Sequence, residues 1–255
     1  MDRIYRLRDG ERSFYAIERA GALYRNAGDD IFEPLVPADP IPGGLAGATV
    51  LAPVRPSKIV CVGLNYRKHA AEVHKPLPSE PLLFIKPSTS VLDPEAPIKL
   101  PPGVGRVDYE AELAVVIGRR AHRVLRARAW DYILGLTCLN DVTARDLQNK
   151  ESQYTRCKGF DTFAPLGPCI ATGLNGAPRA VEGWLNGERR QASTTGDLIF
   201  GVDHLVEFIT FVMTLEPGDV ISTGTPSGIG PMKAGDMVTV RVEGVGDLRN
   251  RVEDE

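Results

Sequence analysis

The sequence predicts a β-rich α+β fold, and three observations carry that expectation. Apolar runs of strand length outnumber segments with helical periodicity. Twenty prolines and 26 glycines are spread along the whole chain, which favours many short elements joined by turns. Strands and helices do not alternate strictly, which disfavours a doubly wound parallel sheet.

The elements follow in order. Asp9-Gly10 marks a hairpin between Ile4–Leu7 and Ser13–Ile17, and Ala20-Gly21 a break before Ala22–Arg25, so the chain opens as a small antiparallel meander. Residues 33–56 are proline-rich, have little periodicity and read as a linker. The expected division is a small N-terminal β domain over 1–55 and a larger unit over 56–255. Lys58–Val62 reads as a buried strand, followed by strands at Leu82–Ile85, Ala111–Ile117 and Gly135–Leu139, with a short helix closing over Ala129–Ile133. Thr143 is expected to cap a helix reaching Asn149. Asn186-Gly187 closes a hairpin between Val181–Leu185 and Glu188–Gln191. Asp203 is expected to cap the strongest helix, with Leu205, Ile209 and Val212 on one face. Pro217-Gly218-Asp219 and Ala234-Gly235-Asp236 each turn the chain into a strand, Val220–Ser222 and Met237–Val242.

Composition narrows the function. With 255 residues, 43% of them hydrophobic and 25% charged, the chain can bury a core unaided, which excludes disorder as its dominant state. A formal net charge of −3 provides no global attraction to nucleic acid or anionic lipid, and the one basic run, Arg119 to Arg128, reads as a solvated turn and helix. The N-terminus has no apolar signal core, and no stretch approaches the ~20 apolar residues of a membrane helix. Cys61, Cys138, Cys157 and Cys169 form no C-x-x-C pair and sit among apolar neighbours, so free buried thiols are expected. The expectation is a cytoplasmic protein that binds neither membrane nor nucleic acid.

The segment Asp108-Tyr109-Glu110-Ala111-Glu112 leads into an apolar strand. Alternate residues share a face, so Glu110 and Glu112 point one way and Ala111, Leu113, Val115 and Ile117 the other. Two carboxylates side by side on a buried strand repel each other and lose hydration, which a divalent cation would relieve; a solvated strand end would explain them equally well. Asp141, just past the strand Gly135–Leu139, is either a third ligand from a rigid position or a turn residue capping the next helix. Three oxygen ligands would suit Mg²⁺, Mn²⁺ or Ca²⁺ rather than zinc or copper. His69 and Glu72 stand at i and i+3 if their segment is helical, an arrangement that would orient an imidazole as a base; the segment alone reads more plainly as an exposed turn with an ion pair. Lys158, beside Cys157 and Phe160, is either a buried cation for an enolate or carboxylate oxygen or a snorkelling surface lysine. The loop Thr223-Gly224-Thr225-Pro226-Ser227-Gly228-Ile229-Gly230 could present N–H groups to an anion, and matches neither a P-loop nor a dinucleotide fingerprint.

Taken in order, these segments resemble the fumarylacetoacetate hydrolase family over roughly residues 56–252. The landmarks are Val62-Gly63-Leu64-Asn65-Tyr66 with His69 and Glu72; Pro81-Leu82-Leu83-Phe84-Ile85-Lys86-Pro87-Ser88; Tyr109-Glu110-Ala111-Glu112; Asn140-Asp141-Val142-Thr143-Ala144-Arg145-Asp146; Lys158-Gly159-Phe160-Asp161; and Thr223-Gly224-Thr225-Pro226. The resemblance implies a mixed β-sandwich or β-roll with a small N-terminal antiparallel β domain, paired into a homodimer. It implies Glu110, Glu112 and Asp141 as ligands of Mg²⁺ or Mn²⁺, with no fourth acidic ligand on Ile59–Val62. It implies His69 and Glu72 as a dyad on a short lid helix, Lys158 and Gln148 as holders of the reacting oxygens, and Thr225 as part of the loop that receives the substrate carboxylate. Arg145 would hold a substrate carboxylate or pair with Asp146 or Glu151. The implied substrate is a 2-oxo acid reacting through an enolate. First comes the 2-hydroxyhepta-2,4-diene-1,7-dioate isomerase and decarboxylase group of aromatic catabolism, with acylpyruvate hydrolysis or oxaloacetate decarboxylation as the alternatives.

Overall fold

Asp9-Gly10 turns the chain back on itself as expected. In the computed structural model, which describes residues 1–255, Arg3–Asp9 pairs antiparallel with Arg12–Arg19, and that strand with Ala22–Asn26. The proline-rich stretch 33–56, expected as a linker, is instead drawn into strand pairing twice. Pro37–Pro40 lies beside Ala22–Asn26, and Thr49–Leu51 beside Arg3–Asp9. Proline is tolerated in the first because that strand forms the sheet edge, where a missing N–H leaves no ladder position empty.

The meander does not end at its own edge. Arg3 pairs with Ala171 and Ile4 with Ile170, so it continues into a large sheet. From Ala164–Ala171 that sheet runs through Ile133–Asn140, Ala111–Ile117, Val220–Ser222 and Lys58–Gly63 to Leu82–Pro87. Of these neighbours only Val220–Ser222 and Lys58–Gly63 are parallel. A five-stranded sheet is built on Glu188–Thr194, Ala180–Leu185, Met237–Val242, Gly246–Asp254 and Ile98–Leu100. Its first hairpin turns at Asn186 (φ 53°) and Gly187 (φ 82°), the two left-handed positions that an Asn-Gly turn supplies.

The strand Ala111–Ile117 is buried along its whole length, as the unbroken apolar run from Leu113 to Ile117 requires. Leu113, Val115 and Ile117 pack in one cluster with Val181, Val240 and Leu248 of the second sheet. Ala114 and Val116 pack on the opposite face with Ile4, Ile59 and Leu139. The four cysteines are buried and unpaired. No helix is long and apolar enough to cross a membrane.

Three local expectations need correction. Thr143 does not cap a helix: Thr143–Ala144 is a short strand beside Val107–Tyr109, the helix is Arg145–Lys150, and the Thr143 hydroxyl donates to the Asp141 carbonyl at 2.8 Å. Gly201 rather than Asp203 is the N-cap of the helix Val202–Val212. Asp203 sits inside the first turn, where its charge suits the helix dipole, and pairs with Arg126. Val212 is 59% exposed, because the last turn runs past the core that buries Leu205, Val206 and Ile209.

Candidate active site

Two backbone contacts bring the acidic residues together. The Glu110 N–H donates to Asn140 Oδ1 and the Asp141 N–H to the Glu110 carbonyl, both at 2.9 Å. They fasten the start of one central strand to the end of its neighbour. One ligand oxygen from each of Glu110, Glu112 and Asp141 lies within 4.8 Å of the others, and all three residues are buried. The solvated-strand-end explanation therefore fails.

Buried cations balance much of this charge. The Lys158 ammonium donates to Glu110 Oε2 at 2.9 Å and also to Asp141 Oδ2. Lys86, fully buried, donates to Asp141 Oδ1 at 2.6 Å and to the Val142 carbonyl at 3.0 Å. Arg145 donates to Glu110, to Gln148 and, at 2.8 Å, to Asp108. It pairs with neither Asp146, which accepts from the Arg106 N–H, nor Glu151, which pairs with Arg156. Burial alone would raise the Glu110 carboxyl, but Lys158 and Arg145 outweigh it and hold the group well below its usual range. Glu112 is pushed the other way, first by burial and then by Asp141 and Glu110. Burial would lower Lys158, yet Asp141 and Glu110 hold it above the ordinary lysine value.

Glu112 accepts both of its hydrogen bonds, from the Ser222 hydroxyl and the Gly224 N–H, on Oε2. Its Oε1 accepts none, so one oxygen of a crowded buried carboxylate is left free. A hard divalent cation fits that donor set: three carboxylates, no sulfur, and in Glu112 a carboxylate that no cationic side chain pairs with directly.

The chain turns sharply at Leu64, which adopts φ 57° between the strand Lys58–Gly63 and the helix Arg67–Glu72. A left-handed leucine costs about 1–2 kcal/mol. Asn65 holds the turn in place: its amide donates to the carbonyls of Thr223 (2.7 Å) and Phe200 (3.0 Å), and its Oδ1 accepts from the Phe200 N–H at 2.8 Å. The helix then presents His69, whose Nδ1 lies 2.8 Å from Glu72 Oε2. Glu72 Oε1 in turn accepts the Gly228 N–H at 2.9 Å, tying the helix to the glycine-rich loop.

His69, Glu72, Gln148, Lys158, Thr225 and the three acidic residues line one cleft of about 450 Å³. The Thr225 hydroxyl donates to the Ala111 carbonyl at 3.0 Å and accepts from Gln191, so a carboxylate arriving at this residue would be met by its backbone N–H. Sequence reasoning assigned no role to Lys86, Asn65, Ser222 or Asp108. A lysine inside the apolar strand Leu82–Pro87 was the one available signal, because burying an ammonium demands a partner.

Fold and cleft together define a β-rich class of protein built around a buried cluster of three carboxylates. The family described as fumarylacetoacetate (FAA) hydrolase, C-terminal, matches residues 58–253, and the chain belongs to it. A solved structure of 2-hydroxyhepta-2,4-diene-1,7-dioate isomerase from Mycobacterium marinum is 39% identical, with a TM-score of 0.91, covering 100% of this chain and 99% of that one. That of 5-carboxymethyl-2-hydroxymuconate delta-isomerase from Mycobacterium smegmatis is 41% identical, with a TM-score of 0.90, covering 99% and 100%. The mitochondrial oxaloacetate tautomerase of Arabidopsis thaliana is 41% identical over 203 residues, 77% of this chain and 91% of that protein.

Proposed function

We propose that this protein moves a proton on a 2-oxo acid through its enol form, and that its substrate is a 2-hydroxydienoic diacid, with 2-hydroxyhepta-2,4-diene-1,7-dioate isomerisation or decarboxylation in aromatic catabolism as the reading of choice. The observation that carries it is the His69–Glu72 dyad, a buried ammonium and three carboxylates lining one cleft. The two isomerases of like fold support the choice of substrate class.

The residues divide the work. Glu72 accepts from Nδ1–H, which leaves Nε2 of His69 free to take or deliver a proton. Lys158, immobilised by Glu110 and Asp141, offers fixed positive charge to an oxygen that becomes negative. Arg145 orients Gln148, and the Thr225 N–H meets a carboxylate. Glu110, Glu112 and Asp141 would hold Mg²⁺ or Mn²⁺, which supplies charge stabilisation for a 2-oxo acid. In isomerisation the 2-hydroxyl loses a proton, C5 gains one, and both double bonds shift by one position, so the formula is unchanged.

The same dyad suits activation of water, which keeps acylpyruvate hydrolysis as the second reading. The resemblance to an oxaloacetate tautomerase supports oxaloacetate as a further 2-oxo diacid, for decarboxylation or tautomerisation. Proton NMR of the dienedioate, acetylpyruvate and oxaloacetate, each with Mg²⁺ and with EDTA, separates them. Metal-dependent conversion of the dienedioate with acetylpyruvate untouched is expected. Acetate and pyruvate from acetylpyruvate would make the protein a C–C hydrolase, and three unchanged substrates would overturn the proposal.

A further inference from the structure

A second cavity, of about 230 Å³, lies across the Ala111–Ile117 strand from the acidic cleft. Leu113, which points away from the face of Glu112, lines it with Leu136, Leu198, Trp130 and Arg179, and Asn175 and Thr195 add polar groups to its wall. Arg179 is held at the start of the strand Ala180–Leu185. Its N–H donates to Thr195 Oγ1 and its carbonyl accepts from the Thr195 N–H, both at 2.9 Å. Its guanidinium enters none of the ion pairs of the protein, and its Nε is buried without a hydrogen-bond partner. The one carboxylate lining the cavity, Asp203, is taken by Arg126 at 2.7 Å. Arg179 is half-buried, and its buried Nε–H, which has no acceptor, is unfavourable until one reaches it. A single unpaired cation above leucines and an indole selects a monoanion with an apolar body.

The wall of this cavity also anchors the helix Arg67–Glu72. Leu198 forms a β-bridge with Tyr66 and its carbonyl accepts from Arg67, while the Ile199 and Phe200 N–H groups donate to the carbonyl and side chain of Asn65, both at 2.8 Å.

We propose that this cavity is a second ligand site, for a small apolar carboxylate seated on Arg179 against Trp130, and that its occupancy stiffens the anchor of the His69–Glu72 helix. Trp130 and Trp184 are the only tryptophans, so the full chain carrying Trp184→Phe reports on the cavity through Trp130 alone. Benzoate is the probe and benzyl alcohol its neutral control, each titrated with Mg²⁺ and with EDTA. The expected result is a saturable change in fluorescence with benzoate, the same with and without metal, and at least ~10-fold weaker for benzyl alcohol. Adding Arg179→Met weakens benzoate by a similar factor, and Arg179→Lys keeps part of the binding. Amide exchange at Ile199 and Phe200 slows at saturating benzoate. No saturable response, equal affinity for the alcohol, or a response abolished by EDTA would overturn the site. Unchanged exchange at saturation would overturn the coupling to that helix. If Arg179→Met fails to fold, the comparison of acid with alcohol on the Trp184→Phe protein decides the same question.

Discussion

The Glu72 carboxylate reaches from the lid helix to accept the backbone N–H of Gly228, 156 residues further along, while its other oxygen meets His69 Nδ1. One side chain thus ties the helix Arg67–Glu72 to the glycine-rich loop and orients the imidazole of His69. Gly228 has φ 102°, and a Cβ there would lie 2.1 Å from the Arg190 carbonyl oxygen. Gly228→Ala must move the loop and release Glu72. We expect turnover to fall at least ~10-fold while Mg²⁺ affinity, read by calorimetry, stays within about twofold.

His69→Ala removes the proposed base without touching a proposed metal ligand. Oxalate should still bind in the presence of Mg²⁺, while turnover falls by ~100-fold or more. Undiminished turnover would remove the dyad from the mechanism.

Glu112→Gln keeps the shape of the side chain and its contact with the Gly224 N–H can no longer be charge-assisted. Calorimetric titration should find Mg²⁺ bound at least ~10-fold more weakly. Unaltered affinity would exclude Glu112 from the ligand set.

Lys158→Met leaves Glu110 and Asp141 without their shared cation. Breaking a buried pair on one side costs about 3–5 kcal/mol. Urea denaturation in EDTA should reveal that loss, and saturating Mg²⁺ should recover a substantial part of it by supplying positive charge to the same oxygens. Equal loss in both conditions would mean that these carboxylates do not hold the ion.

Asp219 tests the scaffold away from the cleft. It accepts from the Ser57 hydroxyl at 2.6 Å, the Ser57 N–H at 3.1 Å and the Glu216 N–H at 2.8 Å, and pairs with Lys58. Burial would raise this carboxyl, but the Glu216 N–H, Lys58 and Ser57 together hold it below its usual range. A depressed carboxyl contributes stability above its unfolded pKa of about 3.9 and loses it as pH falls through the lower folded value. Asp219→Asn should therefore lower stability at pH 7 by about 3 kcal/mol. The difference from the unaltered protein should narrow below pH ~4, as urea titrations at several pH values would record.

Much of the site was legible because its signals are local. Period-two spacing turned Glu112 and Glu110, at the break just before the strand Ala111–Ile117, to one side, and i,i+3 spacing allowed a pair between His69 and Glu72 that only the family landmarks marked as a dyad. The family order of the landmarks turned Asp141 from one of two readings into an expected ligand and Lys158 into an expected holder of the reacting oxygens, and left Arg145 between a substrate carboxylate, Asp146 and Glu151. Capping was misread at Thr143 and Asp203 because a hydroxyl or carboxylate near a helix start has several acceptable partners. Here the Asp141 carbonyl and the Arg126 guanidinium took them.

The β-rich class and the hairpins at Asp9-Gly10 and Asn186-Gly187 are written in the chain itself, since they follow from turn conformation and side-chain alternation over a few residues, whereas the candidate site residues were marked by the order of the family landmarks. Tertiary structure alone decided that Lys86 would meet Asp141, that Asp108 would hold Arg145, that Ser222 and Gly224 would hold one oxygen of Glu112, and that Glu72 would reach Gly228. Each of those contacts joins segments far apart in the chain; those of Lys86, Asp108 and Glu112 form because a buried charge must find a partner wherever the packed sheets bring one within reach, while the half-exposed Glu72 meets Gly228 because the fold sets the helix Arg67–Glu72 against the glycine-rich loop.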